Sequence, residues 1–103
     1  MKFPATEVKA KLASRMLKSF ANEKRLLILW HLITSEKSVG ELQKSMDLSQ
    51  SALSQHITRL RRENVFPTRR KAPTIYYTVT SHQTQTVLAT LCELYCAEEP
   101  KFG

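Results

Sequence analysis

The amino-acid sequence predicts a mainly α-helical fold with a small β-hairpin. Three patterns carry this prediction: apolar residues recur at helical spacing through residues 5–63, alternate with period two near residues 75–79, and return to helical spacing after residue 81. The chain has 103 residues, a length that fits one domain. We therefore expect a single domain, residues 1–103, with its elements in the order α-α-α-α-β-β-α.

The first two predicted helices differ in their apolar pattern. The amphipathic stripe of the first, over residues 5–20, consists of Val8, Leu12, Met16, Leu17 and Phe20. Asn22 is a favourable N-cap for a second helix that runs to about Thr34. The apolar residues of this second helix leave almost no polar face, which predicts a buried central helix.

The next two helices carry strong N-terminal signals. Ser38 and Glu41 have the spacing of a capping box, which starts a short third helix. Ser49 is the N-cap of a fourth helix over residues 50–63. The inner face of that helix consists of Leu53, Ile57 and Leu60. Two capped helices joined by a few residues are typical of a helix-turn-helix, here at about residues 38–63.

The pattern then changes to that of a hairpin. Residues 65–66 are predicted as a short strand, and residues 75–79 as a second strand because apolar and polar side chains alternate there. Residues 68–74 are predicted as the hairpin tip. The tip carries three consecutive cations, Arg69, Arg70 and Lys71. The whole hairpin, about residues 65–79, would be a wing beside the fourth helix.

A final helix is predicted at about residues 81–97, with Thr80 or Ser81 as its N-cap. Its apolar stripe consists of Val87, Leu88, Leu91, Leu94 and Tyr95. The complete pattern predicts a winged helix-turn-helix with a helix added at each end.

The charge of the chain is strongly positive and unevenly distributed. Sixteen Lys and Arg residues against nine Asp and Glu residues give a net charge of +7. Residues 48–71 hold six of the cations and a single acid, Glu63, for a local net charge of +5. Such a basic patch favours a polyanionic partner such as nucleic acid.

The outward half of the fourth helix carries the residue types that contact DNA. Gln binds adenine through two hydrogen bonds, Arg binds guanine or phosphate, and Ser serves either role. The N-terminal end of such a helix normally points into the major groove, while a cationic wing reaches an adjacent minor groove or its phosphates. A solvated polar helix face is the alternative interpretation. The predicted DNA-binding residues are Ser49, Gln50, Ser51, Ser54, Gln55, His56, Arg59, Arg62, Arg69, Arg70, Lys71 and Thr74.

Other classes of protein are disfavoured. The chain has two glycines and no Ser/His/Asp set, phosphate-binding loop or carboxylate pair, so neither an enzyme nor a cofactor is expected. It has no apolar run of the roughly 20 residues that span a bilayer, and no secretory signal. Its two cysteines are too few for a disulfide scaffold. A cytoplasmic protein with reduced thiols and no membrane partner is expected.

The sequence resembles the ArsR/SmtB family of winged-helix repressors from about Leu12 to Cys96. The matching segments are NEKRL at 22–26, SVGEL at 38–42, LSQSALSQH at 48–56, LRR at 60–62 and TIYY at 74–77. The resemblance implies a homodimer, held by the terminal helices, that binds a palindromic operator in double-stranded DNA. It also implies that an effector releases the repressor from that operator.

Many members of the family sense metals, but neither family metal site matches this chain. The cysteine-rich site of the third helix would fall on Ser38 and Gly40, which are not usable ligands. The Asp/His site of the last helix would fall near Ser81, Gln83 and Leu94. No metal is therefore expected. A metal-responsive repressor stays an alternative through a non-standard site built from His82, Cys92 or Cys96.

The segment Leu94-Tyr95-Cys96 resembles one branch of the family, the HlyU/BigR/YgaV-like sensors of oxidants and reactive sulfur. That branch pairs this cysteine with one on the second helix, where this chain has Trp30. The resemblance implies a sensing role for Cys96, and our hypothesis is that Cys96, helped by Cys92, carries any redox or sulfur sensing. A direct bridge between them needs local unwinding, because residues four apart on a helix have Cβ atoms about 5–6 Å apart and a disulfide needs about 3.5–4.5 Å. A bridge between subunits or a polysulfide link is another possibility, and a purely structural role for both thiols is the third.

Two further functions remain open for the same fold. The chain could be a constitutive DNA-binding regulator that responds to no effector. It could also be a protein-docking winged helix, since a fold does not determine a function. A docking domain has no need of three consecutive cations in its wing, which favours DNA.

Overall fold

Five helices and three short strands form the part of the chain that the structure, a computed structural model, describes. It describes residues 6–63, the backbone of 68–71, and residues 74–95. The elements are α1 (Glu7–Phe20), α2 (Glu23–Thr34), β1 (Lys37–Ser38), α3 (Val39–Ser45), α4 (Gln50–Arg62), β2 (Thr68–Lys71), β3 (Thr74–Tyr77) and α5 (His82–Tyr95). The predicted order of helices and hairpin is confirmed.

Side-chain caps start the helices α2, α3 and α4 where the sequence predicts them. The Oδ1 atom of Asn22 accepts hydrogen bonds from the amides of the second and third residues of α2, at 3.0 and 3.1 Å. Ser38 Oγ accepts from the Glu41 amide and Glu41 Oε1 accepts from the Ser38 amide, both at 3.2 Å. Ser49 Oγ accepts from the Ala52 amide at 3.1 Å. Each cap satisfies amide groups that have no partner within the helix.

The core lies between α2, α3, α4, α5 and the inner side of the hairpin. Its buried apolar side chains are Phe20, Ile28, Leu29, Leu32, Leu42, Leu53, Ile57, Leu60, Tyr77, Val79 and Leu88. The predicted inner face of α4 is confirmed, because none of its three apolar residues is more than 2% exposed. The opposite half of α4 therefore faces away from the core.

The prediction that α2 is buried on all sides is wrong. Ile28, Leu29 and Leu32 are buried, but Leu27 is 39% exposed and Trp30 is half-buried. The helix contacts α1, α4 and α5. A domain of about 100 residues has too few elements to surround a central helix completely, so one side of α2 stays in contact with solvent.

The sheet has one strand more than the predicted hairpin. β1 pairs antiparallel with β3, with Lys37 opposite Tyr77 and Ser38 opposite Tyr76, so the strand order is β1-β3-β2. A strand of two residues is too short to show alternation, and the sequence gives no sign of it. β1 leads directly into α3 and thereby anchors the hairpin to the helix-turn-helix.

The prediction that residues 68–74 form the hairpin tip is wrong. The three cations belong to β2, where Arg69 pairs with Tyr76, Arg70 with Ile75 and Lys71 with Thr74. The strands are therefore joined at residues 72 and 73, which lie outside the described residues, as does the predicted strand at 65–66. Three consecutive cations lack the alternation of apolar and polar residues that predicts a strand, so the sequence pattern is that of a turn.

The terminal helices α1 and α5 expose much of their apolar stripes. Ser81 Oγ accepts from the Thr84 amide at 3.3 Å and starts α5, so of the two predicted caps Ser81 is the one used. Leu88 is buried in the core. The exposed apolar residues are Val8, Leu12 and Leu17 on α1, and Leu94 and Tyr95 on α5, each between 59% and 70% exposed. Within the described ranges no helix has the length and apolar character needed to cross a membrane.

Candidate DNA-binding surface

The outer half of α4 is a continuous polar surface. Ser49 and Gln50 at its N-terminal end, and Ser51, Ser54, Gln55, Thr58, Arg59 and Arg62 along its length, are all exposed. The exposed residues from Ser51 to Arg62, together with Arg25, His56 and Glu63, line a shallow groove of about 740 Å³. The predicted DNA-binding residues of α4 are thus brought onto one side of one helix.

The charge along α4 runs from an uncharged first turn to a basic last turn. The first turn has no acidic residue, and the last turn contains Arg59, Arg61 and Arg62. The amide groups at a helix N-terminus favour an anion there, and small side chains allow close approach to the DNA backbone. The amide groups at the N-terminus of α4 and its basic last turn therefore both favour an anionic partner.

His56 lies between the polar and apolar faces of α4 and is half-buried. Burial, together with the nearby cations Arg25 and Arg59, lowers the pKa of His56 below its ordinary value. The imidazole is therefore held in its neutral form at neutral pH, in which it can both donate and accept a hydrogen bond.

Arg25 is a member of this surface that the sequence analysis missed. It is only 7% exposed, yet it lines the groove beside the outer face of α4. Its Nε donates to the Ser19 carbonyl at 2.9 Å, and its Nη2 donates to the Lys18 carbonyl at 3.3 Å. Burial and the neighbouring Arg59 lower the pKa of Arg25, and Glu63 raises it. The feature of the sequence that could have indicated this role is that Arg25 is a single arginine opposite the apolar residues of α2.

Glu63 introduces a carboxylate at the C-terminal end of the groove. Its Oε1 lies 3.4 Å from Arg59 Nε, and its Oε2 accepts a hydrogen bond from the hydroxyl of Ser19. Ser19 is fully buried at the end of α1. Arg59 is thus linked through Glu63 to another helix.

The wing lies in the same sheet as β1. Thr74, at the start of β3, is half-buried and pairs with Lys71. The backbone of all three predicted wing cations is described, in β2, and their side chains lie outside the described residues.

Of the two predicted regulatory thiols, Cys92 lies within the described residues. Cys92 is a free, half-buried thiol on α5, one turn after Leu88. Cys96 lies outside the described residues. No group of three or more His, Cys, Asp or Glu side chains that could hold a metal ion occurs in the part of the chain that the structure describes.

A winged helix whose fourth helix exposes a polar face is typical of DNA-binding transcriptional regulators. Residues 22–65 match the family described as bacterial regulatory protein, arsR family. The chain belongs to the ArsR family. This is a family of DNA-binding regulators and not of enzymes, as the sequence analysis predicted.

Named relatives agree with this assignment. The chain is 48% identical over 81 residues to the transcriptional activator HlyU of Vibrio cholerae. The aligned segment covers 79% of this chain and 75% of HlyU. It is 45% identical over 92 residues to the nodulation protein NolR of Rhizobium meliloti, covering 89% of this chain and 75% of NolR. It is 34% identical over 96 residues to the biofilm growth-associated repressor of Agrobacterium fabrum, covering 93% of this chain and 82% of the repressor.

A solved structure of HlyU from Vibrio cholerae has the same fold. It superposes with a TM-score of 0.85 at 45% sequence identity, covering 88% of this chain and 99% of HlyU. The predicted winged helix-turn-helix is thereby confirmed. The individual DNA-contacting residues and the regulatory thiols stay predictions.

Proposed function

We propose that this ArsR-family regulator is a dimeric repressor that binds a palindromic operator through α4 and the wing. The observation that carries the proposal is the segregation of α4 into a buried apolar face and an exposed polar face. With 13 residues, α4 is about 20 Å long, and an α-helix fits into the roughly 12 Å wide major groove.

In this proposal the residues of α4 divide into two roles. Gln55, in the middle of the exposed face, reads a base edge, with adenine as the partner that suits a primary amide. Ser51 and Ser54 lie on the same exposed face towards the N-terminus and allow close approach to bases. Arg59 and Arg62 bind phosphates, which fixes the position of the helix without reading sequence. The remaining α4 contacts are Ser49, Gln50 and His56.

The wing supplies the second contact. Arg69, Arg70, Lys71 and Thr74 lie in β2 and at the start of β3. Their charge suits an adjacent minor groove or its phosphates. Because β1 ties the sheet to the start of α3, the wing and the recognition helix would approach DNA as one body.

The exposed apolar surface of the terminal helices supports a homodimer. Leu12 and Leu17 on α1 and Leu94 on α5 are more than half exposed in one chain. Exposed apolar side chains of this kind are buried where two chains associate, and a two-fold dimer would present two recognition helices to a palindrome. We infer that α1 and α5 form this interface.

Release of the repressor is proposed to depend on the thiols of Cys92 and Cys96. Trp30 donates its indole N–H to the Leu88 carbonyl at 3.1 Å, so the position that holds a cysteine in the resembled branch lies against α5 in this chain. An oxidant or persulfide would therefore act on Cys92 and Cys96 without a third cysteine. Loss of DNA binding on persulfide treatment that is the same in Cys92→Ser/Cys96→Ser protein would refute this role.

The function is tested with the DNA that lies upstream of the protein's own gene. Fluorescence anisotropy measures the affinity of the reduced protein for that duplex and for a shuffled duplex of equal length, at two salt concentrations. We expect a preference of about 10³-fold or more and two chains per site. Equal affinity for both duplexes would rule out operator recognition. Transcription from a reporter that carries the upstream DNA should fall when the protein is present, and a rise would make the protein an activator instead.

A further inference from the structure

Glu63 occupies a position that local electrostatics disfavour. It is the C-cap of α4, where the negative end of the helix dipole repels a carboxylate. It is also the single acid among six cations between residues 48 and 71, in a region where acidic charge weakens attraction to DNA. The contacts of the Glu63 side chain with other residues must therefore compensate for this unfavourable electrostatic position.

Each carboxylate oxygen of Glu63 has a different partner. Oε1 lies 3.4 Å from Nε of Arg59, one turn earlier on α4. Oε2 accepts a hydrogen bond from the hydroxyl of Ser19, the penultimate residue of α1. The Glu63 side chain is 20% exposed and that of Arg59 is 54% exposed, so the pair extends from the protein towards the groove. Glu63 thus connects the exposed face of α4 with the buried end of α1.

The end of α1 is itself held in place by α2. Arg25 donates to the carbonyls of Lys18 and Ser19 in the last turn of α1, and the Lys18 carbonyl also accepts the amide of the C-cap residue Ala21 at 3.3 Å. Ser19 is fully buried, and its hydroxyl also lies within hydrogen-bond distance of the Arg15 carbonyl. The Ser19 hydroxyl is therefore held in one position, and its hydrogen bond to Glu63 connects α4 to α1.

We propose that Glu63 is a positioning residue for DNA recognition, which ties the recognition helix α4 to α1 through Ser19 and holds Arg59 at the edge of the groove. The inference rests on the proposed function, in which α4 contacts DNA and α1 contributes to the dimer. The two recognition helices of a dimer enter half-sites about 34–36 Å apart. In the proposed dimer the attachment of α4 to α1 would contribute to that separation, so the Ser19–Glu63 contact acts on the discrimination between operator and other DNA.

Two substitutions test the Ser19–Glu63 contact and the Arg59–Glu63 pair separately. Ser19→Ala removes the link to α1 and keeps the Arg59–Glu63 pair. Operator affinity should fall about threefold to tenfold, with affinity for shuffled DNA and the salt dependence unchanged. Glu63→Gln keeps an oxygen that can accept from Ser19 but releases Arg59. Binding to shuffled DNA should tighten, because the charge of Arg59 is then no longer shared between Glu63 and a phosphate.

Matched controls exclude effects of stability and net charge. Ser14→Ala makes the same change at an exposed position of α1, and Glu7→Gln removes one negative charge at the other end of α1. Both controls should keep the wild-type ratio of operator affinity to shuffled-DNA affinity. All five proteins are compared well below their melting temperatures, because a purely structural role would lower the melting temperature and leave that ratio unchanged.

The outcomes distinguish this inference from the proposed function. If wild-type protein prefers its operator and both variants behave like their controls, Glu63 is not a positioning residue. If wild-type protein shows no preference, the proposed function fails, and the inference about recognition fails with it. Urea unfolding of Ser19→Ala, Glu63→Ala and the double variant tests the contact without DNA. Non-additive changes in unfolding free energy are expected, and additive changes would show that the contact couples nothing.

Discussion

The indole N–H of Trp30 on α2 donates a hydrogen bond to the main-chain carbonyl of Leu88 on α5, at 3.1 Å. This contact joins the helix at the centre of the fold to the C-terminal helix that we propose as part of the dimer interface. Trp30 also stands at the position that carries a cysteine in the resembled branch of the family. Any thiol chemistry of this chain must therefore proceed without a cysteine at that position.

Replacing Trp30 should weaken the attachment of α5. Trp30→Phe removes the hydrogen bond and keeps most of the apolar volume, so the free energy of unfolding should fall by about 1 kcal/mol. Trp30→Ala also leaves a cavity and should cost about 3 kcal/mol. Urea denaturation followed by circular dichroism measures both values. Equal losses in the two variants would show that the ring volume contributes nothing beyond the hydrogen bond.

The proposed dimer depends on apolar residues of α1 and α5. Leu12→Glu places a charge on the exposed stripe of α1, where it would be desolvated between two chains. We expect sedimentation velocity to give a dimer for the wild-type protein and a monomer for this variant, with helical content retained. Leu27→Glu makes the same change at an exposed apolar residue of α2 and should leave the dimer intact. A dimer that survives Leu12→Glu would place the interface elsewhere.

The wing should contribute mainly through phosphate contacts. Replacing Arg69 and Arg70 by Ala should weaken binding to all duplexes and make the slope of log affinity against log salt shallower by about 0.9 per lost contact. Lys9→Ala, which removes an exposed cation of α1, is the control and should leave that slope unchanged. An unchanged slope in the double wing variant would mean that β2 does not contact DNA.

The lowered pKa of His56 predicts a pH-dependent stability. Burial and the cations Arg25 and Arg59 disfavour the imidazolium in the folded protein, so the unfolded chain binds the proton more readily. Stability from this group is therefore greatest above the unfolded-state pKa of about 6.5 and decreases as the pH falls through that value towards the lower folded-state pKa. The urea midpoint should drop between pH 7.5 and 5.5 by more in wild-type protein than in His56→Gln. Equal drops would mean that other groups cause the change.

Features that depend on short-range sequence were predictable. Asn22, Ser38 and Ser49 start their helices because a capping side chain needs only the amides two or three residues ahead. The buried and exposed faces of α4 follow from the spacing of Leu53 and Ile57 alone.

Features that depend on distant partners were not predictable. The cations of β2 were assigned to a turn because their strand becomes evident only through pairing with β3. Arg25 was missed because its partners are carbonyls of α1 and its place beside the groove is created by the packing of α2 on α4. The role of Glu63 likewise depends on a serine 44 residues away in the sequence.

The claim that the outer face of α4 reads base pairs is tested most directly by the affinity of wild-type and Gln55→Ala protein for the operator and for a shuffled duplex at one salt concentration. We predict that Gln55→Ala loses about 1–3 kcal/mol of binding free energy on the operator and almost none on shuffled DNA. Gln83→Ala, on the exposed side of α5, should change neither affinity. Equal losses of Gln55→Ala on both duplexes, or no loss on either, would contradict the claim that α4 reads the operator through this face.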